Sequence, residues 1–331
     1  MSTVIPRIDM ATYFRGSVDR FIAMRAPLYA ALAAAAAEDA DLCFMAAQSQ
    51  PGQPPDHLLF SAAELVLTDN LDDPLAAYFP TLVKQAKPAA EAFPVFRAFC
   101  LAHRAKIEAL IRTRTVQTTF LNRAGLLTLF DHYQYDFGAG GRFGDAGRPL
   151  VEAPNWVGAR RPKVGPPPRV GARVGLDLNP IDVSDPTERR WVEALAPPDW
   201  KVQRAQLAAA LHYRATIPLR TIAGDAMASL PSLIAEMPTP LLVMHTYCLY
   251  QWPAAAQIAL NETLLKASAA RVIHRLGIDI VSGWRPIELG AFDPASSRMF
   301  DIFLTRYESG TAHTQMLGRC DPWGESAEWL V

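Results

Sequence analysis

Three short segments of this 331-residue chain end in side chains that could do chemistry. Val174-Gly175-Leu176-Asp177-Leu178 is an apolar run that carries a carboxylate. At the carboxyl end of a parallel strand, such a carboxylate accepts hydrogen bonds from the two hydroxyls of a ribose. It can equally cap the turn formed by Asn179 and Pro180. Thr221-Ile222 leads to Gly224-Asp225-Ala226, where Asp225 can face an adenine amino group or cap the helix that begins near Met227. Met244-His245-Thr246-Tyr247 closes the most apolar of the expected strands. His245 there reads as a general base, as a substrate contact, or as a buried histidine held by hydrogen bonds.

Other chemistries lack their residues. No H-E-x-x-H or other close ligand spacing is present, so no metal site is expected. The chain has neither a G-x-S-x-G elbow nor a G-x-x-x-x-G-K-[ST] phosphate loop, which argues against an α/β-hydrolase and an NTPase. Cys43, Cys100, Cys248 and Cys320 stand far apart and form no C-x-x-C pair, so buried free thiols are expected. A formal net charge of −1 gives no global attraction to nucleic acid or an acidic membrane.

The elements that must position these residues follow from periodicity. The first 115 residues read as helical. Phe14, Val18, Phe21 and Ile22 share one helix face, Pro27 opens a second helix, and Asp56 caps a third. A longer helix is expected from Ala89 to Arg112, and another from Gly125 to about Asp136. Residues 138–173 then carry seven basic and two acidic residues among many glycines and prolines. This stretch reads as a solvated, loose insertion, with an anionic partner such as nucleic acid as the less favoured reading. After it, strands at Val174, Arg220 and Leu241 alternate with helices, which argues for a parallel α/β sheet. Val272–Ile280 is ambiguous. Phe300–Tyr307 and Thr311–Leu317 flank Glu308-Ser309-Gly310, a hairpin signal. The uncharged stretch Met237–Asn261 is broken by prolines and reads as strand, loop and helix rather than a membrane span. The amino terminus carries Arg7, Asp9 and Arg15 without an apolar core, so a cytoplasmic protein is expected.

Across nearly its whole length the chain resembles the bacterial DUF2332 family. The resemblance is carried by Pro27-Leu28-Tyr29-Ala30, Asp131-His132-Tyr133-Gln134-Tyr135-Asp136, Gly175-Leu176-Asp177-Leu178-Asn179-Pro180-Ile181-Asp182, Trp191-Val192-Glu193-Ala194-Leu195 and the tail at Pro322-Trp323-Gly324. The second part of the chain is also similar to S-adenosylmethionine-dependent methyltransferases, through the ordered carboxylates Asp177 and Asp225 and the final hairpin. The helical periodicity of the first part gives a helical cap domain over residues 1–115, and the likeness concerns the rest. It implies a Rossmann-like α/β domain over 116–331, with a mostly parallel sheet and a C-terminal antiparallel hairpin. It further implies S-adenosylmethionine as cofactor, with Gly125 opening the helix at the methionine part, Asp177 on the ribose and Asp225 near the adenine. His245 and Thr246 would face the methyl acceptor. A non-catalytic protein that keeps the fold for ligand or partner binding is the rival expectation.

Two departures from the family stand out. Its glycine-rich turn of the form E-x-G-x-S-A-G-L is reduced here to Ala124-Gly125-Leu126. Too few residues lie between Gln117 and Ala124 for the first, central strand, so either that strand is deleted or a segment near Asn122–Ala124 is absent from the sequence. The family often has a histidine in the tail where Asp321 or Trp323 stands here.

Overall fold

The computed structural model describes residues 9–50, 53–116, 124–137, 142–144, 150–151, 155–279, 300–321 and 326–331. The chain divides into two compact units, one of residues 1–118 with 185–208, the other of 119–184 with 209–331. The short stretch around Asn122 lies outside the described residues, apart from Ala124 itself.

The first unit is helical. Helices α1 (Met10–Ala23), α2 (Pro27–Ala36), α3 (Ala40–Ala46) and α4 (His57–Asp69) are followed by α5 (Phe93–Ala102) and α6 (Arg104–Thr113). Pro27 occupies the first turn of α2, where its missing N–H costs nothing. The single helix expected over 89–112 is divided at His103, whose backbone leaves the helical region while its ring packs on Phe99. Asp56 precedes α4 but does not cap it. Its carboxylate is buried and accepts instead from Ser17 Oγ (3.1 Å), Tyr13 OH (3.2 Å) and the Arg20 guanidinium. Helices α7 (Pro186–Leu195) and α8 (Lys201–Ala215) come later in sequence. Trp191, Ala194 and Leu195 of α7 join the core built by α1 to α6. The Trp191 indole N–H donates to the Thr115 carbonyl at 3.0 Å.

The second unit mixes strands and helices. Where a helix was expected after Gly125, a short 3₁₀ segment (Leu127–His132) leads into strand β1 (Gln134–Asp136). β1 pairs antiparallel with β2 (Arg142–Phe143) and parallel with β3 (Leu150–Val151). Part of the glycine- and proline-rich stretch thus forms strands, and β4 (Asn155–Val157) extends the main sheet. Next come β5 (Val174–Asp177) and β6 (Arg220–Ala223), a parallel pair. Helix α9 (Ala226–Glu236), β7 (Leu241–Thr246), α10 (Ala254–Ala267) and β8 (Ile273–Asp279) follow. The ambiguous stretch is therefore a strand.

β9 (Phe300–Glu308) and β10 (Thr311–Cys320) form the expected antiparallel hairpin, and β11 (Ser326–Trp329) pairs with β10. The main sheet has the order β4-β11-β10-β9-β8-β7. It is mixed rather than mostly parallel: β7–β8 and β11–β4 are parallel, the other pairs antiparallel. The hairpin accounts for the β9–β10 pair, because two strands joined by a tight turn must run in opposite directions. Leu230, Ile234, Leu260, Leu264, Ile273 and Tyr307 form the apolar layer between this sheet and α9 and α10. Among the described residues β5 and β7 each pair on one side only.

Candidate functional site

Strand direction assembles the site. β5 and β6 run parallel in register Asp177↔Ala223, so Asp177 and Gly224-Asp225 emerge together at their carboxyl ends. The Gly224 N–H donates to the Asp177 carbonyl at 3.0 Å and fixes that juxtaposition. Asp177 Oδ1 accepts the Asn179 N–H at 2.8 Å, an Asx turn. Asp225 is exposed and caps α9, its Oδ1 accepting from Met227 N (2.6 Å) and Ala228 N (3.3 Å).

β7 and β8 are likewise parallel, in register His245↔Gly277. Gly277 in turn faces Phe303 on β9. A Cβ at position 277 would lie 2.6 Å from His245 Cε1 and 2.8 Å from Phe303 Cε1. Glycine is therefore what lets the His245 ring lie across β8 towards Phe303, with ring centroids 5.8 Å apart. Asp279 is two residues beyond Gly277, on the same face. It is fully buried and accepts backbone N–H groups from Cys248 (3.2 Å), Leu249 (2.7 Å) and Tyr250 (3.0 Å). His245 Nδ1 stands 3.5 Å from Asp279 Oδ2, at the outer limit of a hydrogen bond. Neither ring nitrogen has a well-aligned hydrogen-bond partner among the described residues.

Burial, foremost, holds the His245 imidazole below its ordinary pKa, and the Arg275 charge adds to this, while Asp279 pulls the other way. The ring is thus neutral near pH 7. Tyr247 follows β7 at φ 50°, and its ring packs edge-on against Phe300 at 4.8 Å. Burial pushes the Cys248 thiol up to about 12, with the charges of Asp279 and Asp177 adding to the effect. A Cβ on Gly171, ahead of β5, would be 3.8 Å from Pro238, ahead of β7.

The expected residues do not all meet. Asp177 and Asp225 share the carboxyl edge of the β5–β6 pair, and His245 stands at the carboxyl end of β7 in the main sheet. Thr246 is buried, but alternation along β7 turns it to the other face from His245. Gly125 lies elsewhere. It adopts φ 69° and packs on Leu219, the residue before β6, at the amino end of the β5–β6 pair. It heads a 3₁₀ segment of six residues, not an α-helix. Asp279 was missed in the sequence, because a lone carboxylate at the end of an ambiguous run carries no spacing signal.

Residues 158–173 run without regular structure and are mostly exposed. Arg160 donates to the Leu330 carbonyl, Arg173 pairs with Asp131 and donates to the Thr128 carbonyl at 3.0 Å, and the Arg161 guanidinium lies 5.8 Å from the Trp156 ring centroid. Among the described residues no cluster of three or more His, Cys, Asp or Glu side chains could hold a metal. All four cysteines are free thiols. No described helix is long and apolar enough to cross a membrane.

No curated protein and no solved structure matches the chain. A family model does, over residues 12–124 and 122–329, two segments that meet where the glycine-rich turn is shortened. The chain therefore belongs to the DUF2332 family, whose description reads "Uncharacterized protein conserved in bacteria".

Proposed function

We propose that the second unit is a Rossmann-like domain that binds S-adenosylmethionine and serves methyl transfer to an acceptor of unidentified structure. One observation carries this reading: two parallel strand pairs, β5–β6 and β7–β8, carry Asp177 with Asp225 and His245 with Asp279 at their carboxyl ends. Open α/β sheets bind ligands outside the carboxyl ends of their strands. The nucleoside half of the cofactor fits the β5–β6 edge. Asp177 spends Oδ1 on its own turn and keeps Oδ2 for a ribose hydroxyl. The methionine half lacks the helix amino terminus expected at Gly125, so no step is assigned to the chain through the sulfonium centre.

That same mismatch favours a second reading, a protein that keeps the fold and binds a nucleoside-type ligand without transferring a methyl group. The family match in two segments supports it as well. Calorimetry with S-adenosylmethionine and, separately, adenosine tests both. Heat with the cofactor, weakened more than tenfold by Asp177→Ala, supports the first reading. Equal affinity for adenosine alone supports the second. No heat with either ligand at millimolar concentration, from folded protein, removes both.

A further inference from the structure

His245 and Asp279 meet through strand register alone. His245 is paired with Gly277, and Asp279 stands two residues further along the same face of β8. Oδ2 of Asp279 takes the Cys248 and Leu249 N–H groups, and Oδ1 takes that of Tyr250. These three groups are donors, so the Asp279 carboxyl meets them with lone pairs. His245 Nδ1 is 3.5 Å from one of those oxygens. An unprotonated Nδ1 there would set lone pair against lone pair in a buried place. The nitrogen facing Asp279 therefore carries the proton, and in a neutral imidazole the other nitrogen is then the acceptor.

We propose that Asp279 is the positioning residue of the β7–β8 edge. It fixes His245 as the Nδ1–H tautomer and leaves Nε2, buried beside β8 and Phe303, as the acceptor nitrogen of the ring. Arg275, on the same face of β8, lies over the rings of Phe303 (5.3 Å) and Tyr307 (6.0 Å) and opposes a lasting second positive charge. The ring is thereby held neutral.

The three N–H bonds give Asp279 a second task. They pin the turn at 248–250, just after Tyr247 in its left-handed conformation. A role confined to that turn would leave the histidine tautomer untouched, which makes the two tasks separable. ¹⁵N NMR of the His245 ring in the full-length labelled protein, assigned with His245→Gln, reads the tautomer directly. Wild type is expected to show a protonated Nδ1 and an unprotonated Nε2. Asp279→Asn places an amide donor near Nδ1 and is expected to shift the ring towards the Nε2–H form. A protonated Nε2 in the wild type overturns the proposal. So does a folded Asp279→Asn protein with an unchanged tautomer. If that variant does not fold, the wild-type spectrum decides. The measurement needs no cofactor, so failure to bind S-adenosylmethionine leaves it standing.

Discussion

Gly277→Ala tests the geometry of the site most directly. A methyl group there would meet His245 Cε1 at 2.6 Å and Phe303 Cε1 at 2.8 Å, with Phe303 Cζ closer still, where ordinary contact begins at 3.4 Å. Both rings must retreat by somewhat under 1 Å on the figures for those two atoms, and neither has room. Phe303 is fully buried and His245 is 7% exposed. Overpacking a closed site costs about 1–3 kcal/mol, and two rigid rings on one methyl group put this case near about 3 kcal/mol. The two units need not unfold together, so a global midpoint is a poor readout. Native-state hydrogen exchange of the β7 and β8 amides reports locally. A loss of about 3 kcal/mol means exchange faster by about 150-fold, at 1.36 kcal/mol per factor of ten. Phe303→Leu in the same chain relieves one of the two clashes. The double variant should be more stable than the sum of the single effects by at least about 1 kcal/mol. Exchange within threefold of wild type in Gly277→Ala would refute the reasoning, because His245 could not then lie across β8.

Other outcomes follow from the same contacts. Asp225→Ala removes two cap bonds from α9 and should lower its local stability by about 1 kcal/mol, read by amide exchange in Ala226–Glu236; no change would deny the cap. Glu64 is buried on α4, and burial raises its carboxyl from 4.5 to about 7, with Glu188 adding and Arg114 opposing. The native state thus holds a proton that the unfolded chain has released, so stability falls as pH rises from 4.5 to about 7, by about 3 kcal/mol. Glu64→Gln should remove that fall in denaturant titrations across this window, and parallel curves for variant and wild type would contradict the assignment. Neutralising Lys163 and Arg169 together should leave thermal stability unchanged, because both are exposed; a drop in Tm would mean that the segment is held by them.

The sequence was legible where periodicity and turn chemistry act locally. Pro27 opening α2, the strand at Arg220–Ala223, the apolar β7 and the hairpin about Ser309-Gly310 all follow from neighbours within a few residues. It was opaque where distant partners decide. Asp56 has the type and place of a helix cap, yet Arg20 and Ser17, far away in sequence, draw its carboxylate inward. The Gly125 segment has helical spacing, yet it pairs as a strand after six residues of 3₁₀ helix. His245 was visible as a residue type at a strand end. Its partner was not, because the register of β8 against β7 sets it and no local pattern encodes that register.

Helix α7 carries Trp191 into the core of the first unit, but sixty-six residues of the second unit, 119–184, come before it in the chain. A ribosome extends a chain by about 5–20 residues per second. The amino-terminal helices therefore wait several seconds after they are made for the indole that completes their interior. During that interval α4 shows water the face that α7 later covers, with His57, Ser61 and Glu64 on it. Those polar side chains, costly once enclosed, suit a surface that must stay dissolved while synthesis continues.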